Sequence, residues 1–284
     1  MENITFQNTG PIDSLVEWLV RFKGEISKDS LIIEVDPKAQ AFISKTYSDD
    51  KSLVRYSQIS FSDANLEVKK QSEDSGQRIL VGIYMILPKV IEAFKTFATS
   101  ENFSLSIDYD IQTVAGVEKW CATTINLKSK TLKMKIPGSS IGAVEMNPLS
   151  DDMFFKKVWV APSPVSATIS AELLMNLVSI SDIFASQEKK DNYMEFYTKD
   201  LDDGKYMFVR DPKQETYDYE LCKVDEDSYK ETNVTLPIYR EKFLLSVKNA
   251  FDETKIIIST ATPNRLLIEL KGGNTKTIIA KVNR

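Results

Sequence analysis

The sequence predicts an α+β protein of two similar domains, each a duplicated unit of antiparallel sheet with two helices on one side. Three observations point there. Four short amphipathic segments, each entered from a strand-like run, start near Ile12, Pro88, Ala171 and Tyr239, roughly 76, 83 and 68 residues apart by subtraction of those numbers. Between them the chain is rich in β-branched and aromatic residues broken by turn signals, so strands outnumber helices. Proline and small polar residues gather in "IPGSSIGAVEMNPLSDDMFFKKVWVAPSPVSA", residues 136–167, with no helical pattern inside, which reads as a crossover between two halves.

Each unit has the same internal order. "NITFQ" leads into a helix with Leu15, Trp18, Leu19 and Phe22 at i, i+3, i+4, i+7 spacing. "RILVGIYM" leads into one with Val90, Phe94 and Phe97, and "VSATI" into one with Leu173, Leu177, Ile180 and Phe184. "TNVTLPI" leads into the fourth, with Phe243, Val247 and Phe251. Strand-rich stretches follow each helix, with Asp203-Gly204 and Gly272-Gly273 as the strongest hairpin markers. The expected division is a first domain over 1–145, a connector over 146–164 with the boundary near Val160 to Pro164, and a second domain over 165–284.

Length and composition allow two real cores: 284 residues, 42% hydrophobic and 27% charged, lie in the ordinary globular range. The formal net charge of −5 does not advertise a nucleic-acid binder, yet a basic lining can coexist with an acidic exterior if the two faces are kept apart. Cys121 and Cys222 lie far apart in strand-like runs and read as buried reduced thiols. The start lacks the pattern of a signal peptide, and no apolar run approaches the ~18 residues of a membrane span, so a cytoplasmic location without membrane contact is expected.

The chain has no histidine, which removes the commonest general base, the usual nucleophile pairs and most transition-metal sites. No glycine-rich phosphate cradle occurs. Asp200, Asp202 and Asp203 share a few features of a calcium loop but lack its distal glutamate and coincide with a hairpin turn. No catalytic residue, metal or cofactor is expected.

With catalysis demoted, the polar faces of the helices become the surface of interest. The first carries Arg21 and Lys23, with Lys28 beyond; the second Lys89 and Lys95; the fourth Arg240, Lys242 and Lys248. The third carries Glu172, Asn176, Ser179 and Asp182, and lysines appear only past its end, at Lys189 and Lys190. Such residues either solvate a helix or, repeated over equivalent helices, line one concave surface that meets phosphates without reading bases. In "NLKSKTLKMKIPG", Lys133 and Lys135 alternate with Leu132, Met134 and Ile136, the pattern of a half-buried strand whose lysines protect an edge or pair with another subunit.

Taken together, these features resemble a DNA sliding clamp, of the kind built like proliferating cell nuclear antigen (PCNA) and the phage polymerase processivity factors. The local parts that carry the resemblance are "SATISAELLMNLVSISDIF", similar to the opening of a clamp's second domain; "IIISTATPNRLLIELKGGNTKTIIAKVNR", similar to the terminal hairpin; and "RILVGIYMILPKVIEAFKTF", similar to the mid-domain strand and helix of phage clamps. The resemblance covers nearly the whole chain as topology. It implies two clamp-like domains per subunit and a homotrimeric ring around double-stranded DNA. The ring would be placed by a clamp loader ATPase and would tether a DNA polymerase, in the host cytoplasm if the source is viral. It implies DNA-facing roles for Arg21, Lys23, Lys89, Lys95, Lys189, Lys190, Arg240, Lys242 and Lys248. It places a partner-peptide pocket at Met153, Phe154, Phe155 and Trp159 of the connector with Pro263, Ile279 and Ala280 of the terminal strands. Subunit contact would be edge-to-edge pairing of "TLKMKIPG", with Lys133 and Lys135, against "TYDYELCKV", with Tyr217 and Tyr219, where Asp218 and Glu220 supply complementary charge. Three alternatives stay open, the first a clamp-fold polymerase accessory factor that remains monomeric, the second a viral structural or adhesion protein built from repeated β units. An enzyme using Asp202 and Asp203 is the third.

Overall fold

The structure is a computed structural model. It describes residues 2–22, 32–48, 50, 52–72, 76–83, 86–98, 102–114, 116–138, 150–159, 164–183, 192–211, 217–228, 233–247, 253–259, 265–270 and 275–281. The chain forms two compact units: Met1–Asp49 with Tyr56–Leu149, and Asp50–Arg55 with Ser150–Arg284.

Unit 1 runs β1 (Glu2–Asn8), α1 (Asp13–Val20), β2 (Ile32–Asp36), β3 (Ala41–Tyr47), β4 (Leu53–Ser60), β5 (Leu66–Gln71), β6 (Ile79–Gly82), α2 (Leu87–Ala98), β7 (Phe103–Val114), β8 (Val117–Ser129) and β9 (Lys133–Pro137). The strand that opens each repeat of unit 1 lies between the two repeats: β1 pairs with β5 of its own repeat, and β6 pairs with β8 of its own over Ile79 and Leu80. On its other side β1 pairs with β7, and β6 pairs with β2, each in the other repeat. Neither repeat can therefore satisfy its backbone alone, and the two halves depend on each other through pairings distant in sequence.

Unit 2 repeats the plan. A short helix α3 (Asp151–Met153) precedes β10 (Val165–Ile169), α4 (Ala171–Ile183), β11 (Tyr193–Leu201), β12 (Gly204–Arg210) and β13 (Asp218–Lys223). The second repeat is β14 (Thr235–Tyr239), α5 (Arg240–Val247), β15 (Thr254–Ser259), β16 (Arg265–Leu270) and β17 (Thr275–Ala280). Here the opening strands cross over, with β10 on β15 and β14 on β11. The unit's strands β10–β15–β16–β17 follow one another in one sheet, and β13–β12–β11–β14 form a separate four-stranded sheet. The Asp202–Asp203 turn joins β11 to β12, and Gly204 opens β12 at φ 146, a conformation that favours glycine.

The helices bury the stripes that periodicity predicts, with one shift of phase. Leu15, Trp18, Leu19 and Phe22 are buried, and the Trp18 indole donates to Ser57 Oγ at 2.8 Å, so the largest core side chain leaves no orphan donor. Val90, Phe94 and Phe97 are buried as expected, and Phe243 lies 5.2 Å from the Phe196 ring of β11. In α4, however, Leu174, Leu177 and Ser181 are buried while Leu173 and Ile180 are only half-buried. The apolar residues of "LLMNLVSI" cover too wide an arc for spacing to choose the phase, and tertiary packing chooses it. Phe184, Phe251 and Gly272-Gly273 lie outside the described residues, though β16 and β17 pair antiparallel as that hairpin marker requires.

The crossover is not without helix. Ser150 Oγ accepts the Met153 N–H at 3.1 Å and starts α3, which continues as a π-helical turn over Phe154–Val158. The signal was present as a serine N-cap followed by Asp151 and Asp152 in the first turn.

Candidate functional site

Two strands lie at the edges of their sheets. β9 pairs with β8 alone among the described strands, and β13 with β12 alone. On β9, Lys133 and Lys135 are exposed while Met134 and Ile136 pack on the unit 1 core. On and beside β13, Asp218 and Glu220 are exposed while Tyr217 and Tyr219 pack against the unit 2 core. The two edges thus share one alternation, with opposite charge on the outward residues. Gly138 holds β9 close to β8: its N–H donates to the Thr123 carbonyl at 2.8 Å, and a Cβ would stand 2.5 Å from the Ala122 carbonyl oxygen.

Asp218 is held in place. The Tyr197 hydroxyl donates to its two carboxylate oxygens at 2.6 and 2.7 Å, and the Arg210 guanidinium sits 4.7 Å over the Tyr197 ring while Arg210 Nε donates to Glu195 at 2.8 Å. Burial first, then the Asp218 carboxylate, pushes the Tyr197 phenol up to about 12. Burial does the same to Tyr217, also to about 12.

The helix faces are less basic than expected. Lys89 and Lys95 are exposed on α2, but Lys95 pairs with Glu92 at 2.9 Å. Arg21 is half-buried at the end of α1. Lys242 is half-buried and lies 3.4 Å from Asp50. Arg240 is a correction. It is 9% exposed, because the strand β14 runs directly into α5 and buries the first helical residue, so it does not present its guanidinium to solvent. Exposed carboxylates stand on the same helices at Asp13, Glu17, Glu92, Glu172 and Glu241. Lys23, Lys28, Lys189, Lys190 and Lys248 lie outside the described residues.

At the connector, Met153 and Phe155 are exposed, Trp159 is half-buried and Phe154 is 0% exposed. Phe154 stacks on Trp159 at 6.2 Å and 17°, and Lys276 Nζ of β17 lies 5.0 Å over the Trp159 ring. Ile279 is a second correction: it is 0% exposed and belongs to the unit 2 core, whereas Ala280 is exposed. A strand turns successive side chains to opposite faces, so the outward apolar residue of β17 is its neighbour Ile278. Register places Ile278 beside Leu267 of β16 and Leu267 beside Ile257 of β15, an apolar row on the face away from the core. Spacing alone could have found this row, since "IIIS" and "LLIEL" run apolar on both alternating faces, the pattern of a sheet covered on both sides. Pro263 lies outside the described residues.

No family model and no curated protein matches the sequence. Solved structures do. The Helicobacter pylori beta clamp bound to a DNA ligase peptide superposes with a TM-score of 0.63 at 11% identity over 99% of this chain, which spans 65% of that one. PCNA from Thermococcus kodakaraensis superposes with a TM-score of 0.61 at 13% identity, covering 99% of this chain and 100% of that one. This chain has the sliding-clamp fold. A third structure, A. fulgidus PCNA with the C-terminal region of FEN-1 bound, superposes with a TM-score of 0.60 at 12% identity over 100% of this chain and 99% of that one. The fold resemblance read from the sequence holds across the chain's length. Within this clamp fold, Lys133, Lys135, Tyr217 and Tyr219 lie on or beside open sheet edges and Lys89 and Lys95 on an exposed helix face, while burial withdraws Arg240 and Ile279.

Proposed function

We propose that this clamp-fold chain is a sliding clamp in function: a homotrimeric ring that encircles duplex DNA without reading sequence and tethers a DNA polymerase, after loading by a clamp loader ATPase. It works in the cytoplasm, that of the host if the source is viral. The observation that carries the reading is the pair of open, oppositely charged edges. Antiparallel pairing that sets Lys133 opposite Glu220 sets Lys135 opposite Asp218 and leaves Met134 and Ile136 on the same side as Tyr219 and Tyr217, so both charge and core face match. Because β9 and β13 are different surfaces, the contact is heterologous and closes into a ring by rotation.

The ring is a topological tether and carries out no chemistry. A closed ring cannot fall off sideways, so phosphate contacts from Lys89, Lys95 and the basic residues beyond the helix ends need only be weak, and weak sequence-blind contacts permit sliding. The polymerase is retained by effective concentration. The solved clamps sharing the fold carry a DNA ligase peptide, the C-terminal region of FEN-1 or, in Sulfolobus tokodaii, a PCNA2–PCNA3 complex, which supports protein partners and assembly here.

The exposed carboxylates on the helices favour a second reading, an accessory factor of clamp fold that stays monomeric and holds polymerase without encircling DNA. Sedimentation separates the two. The ring predicts a mass of three times 32.2 kDa and, with a loader present, retention on circular but not linear DNA. A single-copy mass at every concentration together with equal retention on both DNAs refutes the ring.

A further inference from the structure

The face of unit 2 turned away from its core carries the apolar row Ile257, Leu267 and Ile278. Leu267 and Ile278 are 1% and 5% exposed, although they contribute nothing to the core that packs on the helices. Something covers them. The connector turn is tied to this face: the next outward pair along the same strands is Glu269 with Lys276, joined at 2.6 Å, and it is Lys276 that lies over Trp159. Trp159 in turn stacks on Phe154, whose ring is wholly buried while its neighbours Met153 and Phe155 are exposed. Phe154 opens a π-helical turn, a rare geometry that concentrates at functional places.

We propose that this row is a seat for one aromatic side chain presented on a helical turn, that the chain's own Phe154 occupies it, and that a partner peptide binds by displacing Phe154. The proposal rests on the reading that partners dock at the connector and the terminal strands, and it adds the regulation of that place: the connector is its own competitor. The occupant's chemistry is shown by the occupant, an aromatic ring next to further apolar residues with lysines following, as in Met153, Phe154, Phe155, Lys156 and Lys157. A site open only a tenth of the time binds its ligand with a tenth of the intrinsic affinity. The Trp159–Lys276 contact is the strap that sets that fraction.

The test uses the connector itself as probe. A labelled synthetic peptide of residues 150–159 is titrated by fluorescence anisotropy into the full chain and into its Phe154→Ala and Lys276→Ala variants. The vacated seat of Phe154→Ala binds the peptide at least about tenfold more tightly than the unaltered chain. Lys276→Ala, which keeps Phe154 but loosens the strap, gains a few-fold, and Ile278→Glu introduced beside Phe154→Ala abolishes the gain. A peptide carrying Phe154→Ala binds none of the chains. Equal affinity for the unaltered chain and both single variants, or undiminished binding by the peptide without its phenylalanine, overturns the proposal. Lys276→Ala guards against Phe154→Ala failing to fold, which thermal unfolding reports. The assay contains neither DNA nor polymerase, so its failure leaves the ring standing, and a single-copy mass leaves the seat standing.

Discussion

Two edge strands of unit 2, β10 and β13, meet the same problem in opposite ways. An edge strand shows unpaired N–H and C=O groups that any other strand can complete. On β10 those groups are taken. The Ser166 N–H donates to Ser228 Oγ at 2.9 Å, the Ser166 carbonyl accepts the Asp225 N–H at 2.8 Å, and the Thr168 N–H donates to Asp225 Oδ1 at 3.1 Å. Lys255 adds an ion pair with Asp225 at 3.5 Å. The turn after β13, through Asp225 and Ser228, thus takes the place of a further strand and closes the β10 edge. No such cover lies on β13 among the described residues, and its outward Asp218 carboxylate is held by Tyr197. The difference teaches that, in the proposed ring, assembly is directed as much by the edge that is sealed as by the edge that is offered.

The comparison can be broken from either side. The largest effect is expected on the offered edge: Lys133→Glu with Lys135→Glu sets like charges opposite Asp218 and Glu220, which costs several kcal/mol across an interface and weakens trimer association on the order of 100-fold or more. Sedimentation at micromolar concentration reads it, and an unchanged three-copy mass refutes the pairing. On the sealed edge, Asp225→Ala with Ser228→Ala strips the partner from the buried Ser166 N–H, a loss of about 1–3 kcal/mol for that group. A lower melting temperature is expected, with species heavier than the trimer as β10 becomes available; a melting temperature within error of the parent removes the seal from the argument.

A smaller change sharpens the offered edge. Gly138→Ala pushes the end of β9 off the Ala122 carbonyl, so the proposed trimer dissociates at a higher concentration while each unit still melts cooperatively. The smallest effect concerns the brace on Asp218. The Tyr197 phenol titrates near 12 in the fold, above its ordinary 10.0, because burial and Asp218 favour its neutral form. Its contribution to stability is therefore whole below pH 10 and is lost as pH rises through 12. Tyr197→Phe has no phenol to ionise, so its melting temperature falls less steeply over that window, and parallel curves for the two proteins would exclude the linkage.

Much of this was legible beforehand because apolar spacing depends on local geometry. Leu15, Trp18, Leu19 and Phe22, or Val90, Phe94 and Phe97, can sit on one helix face in only one way, and the alternation of Lys133 to Ile136 can form only a half-buried strand. The misreadings fall where local rules leave two solutions. Ile279 and Ile278 are both apolar, and a one-residue choice of face decides which lies in the core. Arg240 follows a strand without a loop, and nothing in its own sequence shows that the first turn of α5 is covered.

By itself, then, the sequence determined four repeats of strand, helix and sheet, the apolar stripe of each helix up to its phase, and the absence of histidine chemistry, since each follows from side chains within a turn or two of one another. Only the tertiary structure decided that the first strands pair across to the other repeat, that β10 is sealed while β9 and β13 are open, and that Phe154 turns inward. Those outcomes rest on hydrogen bonds and contacts between residues tens of positions apart, and no local periodicity encodes which distant partner a backbone group will meet.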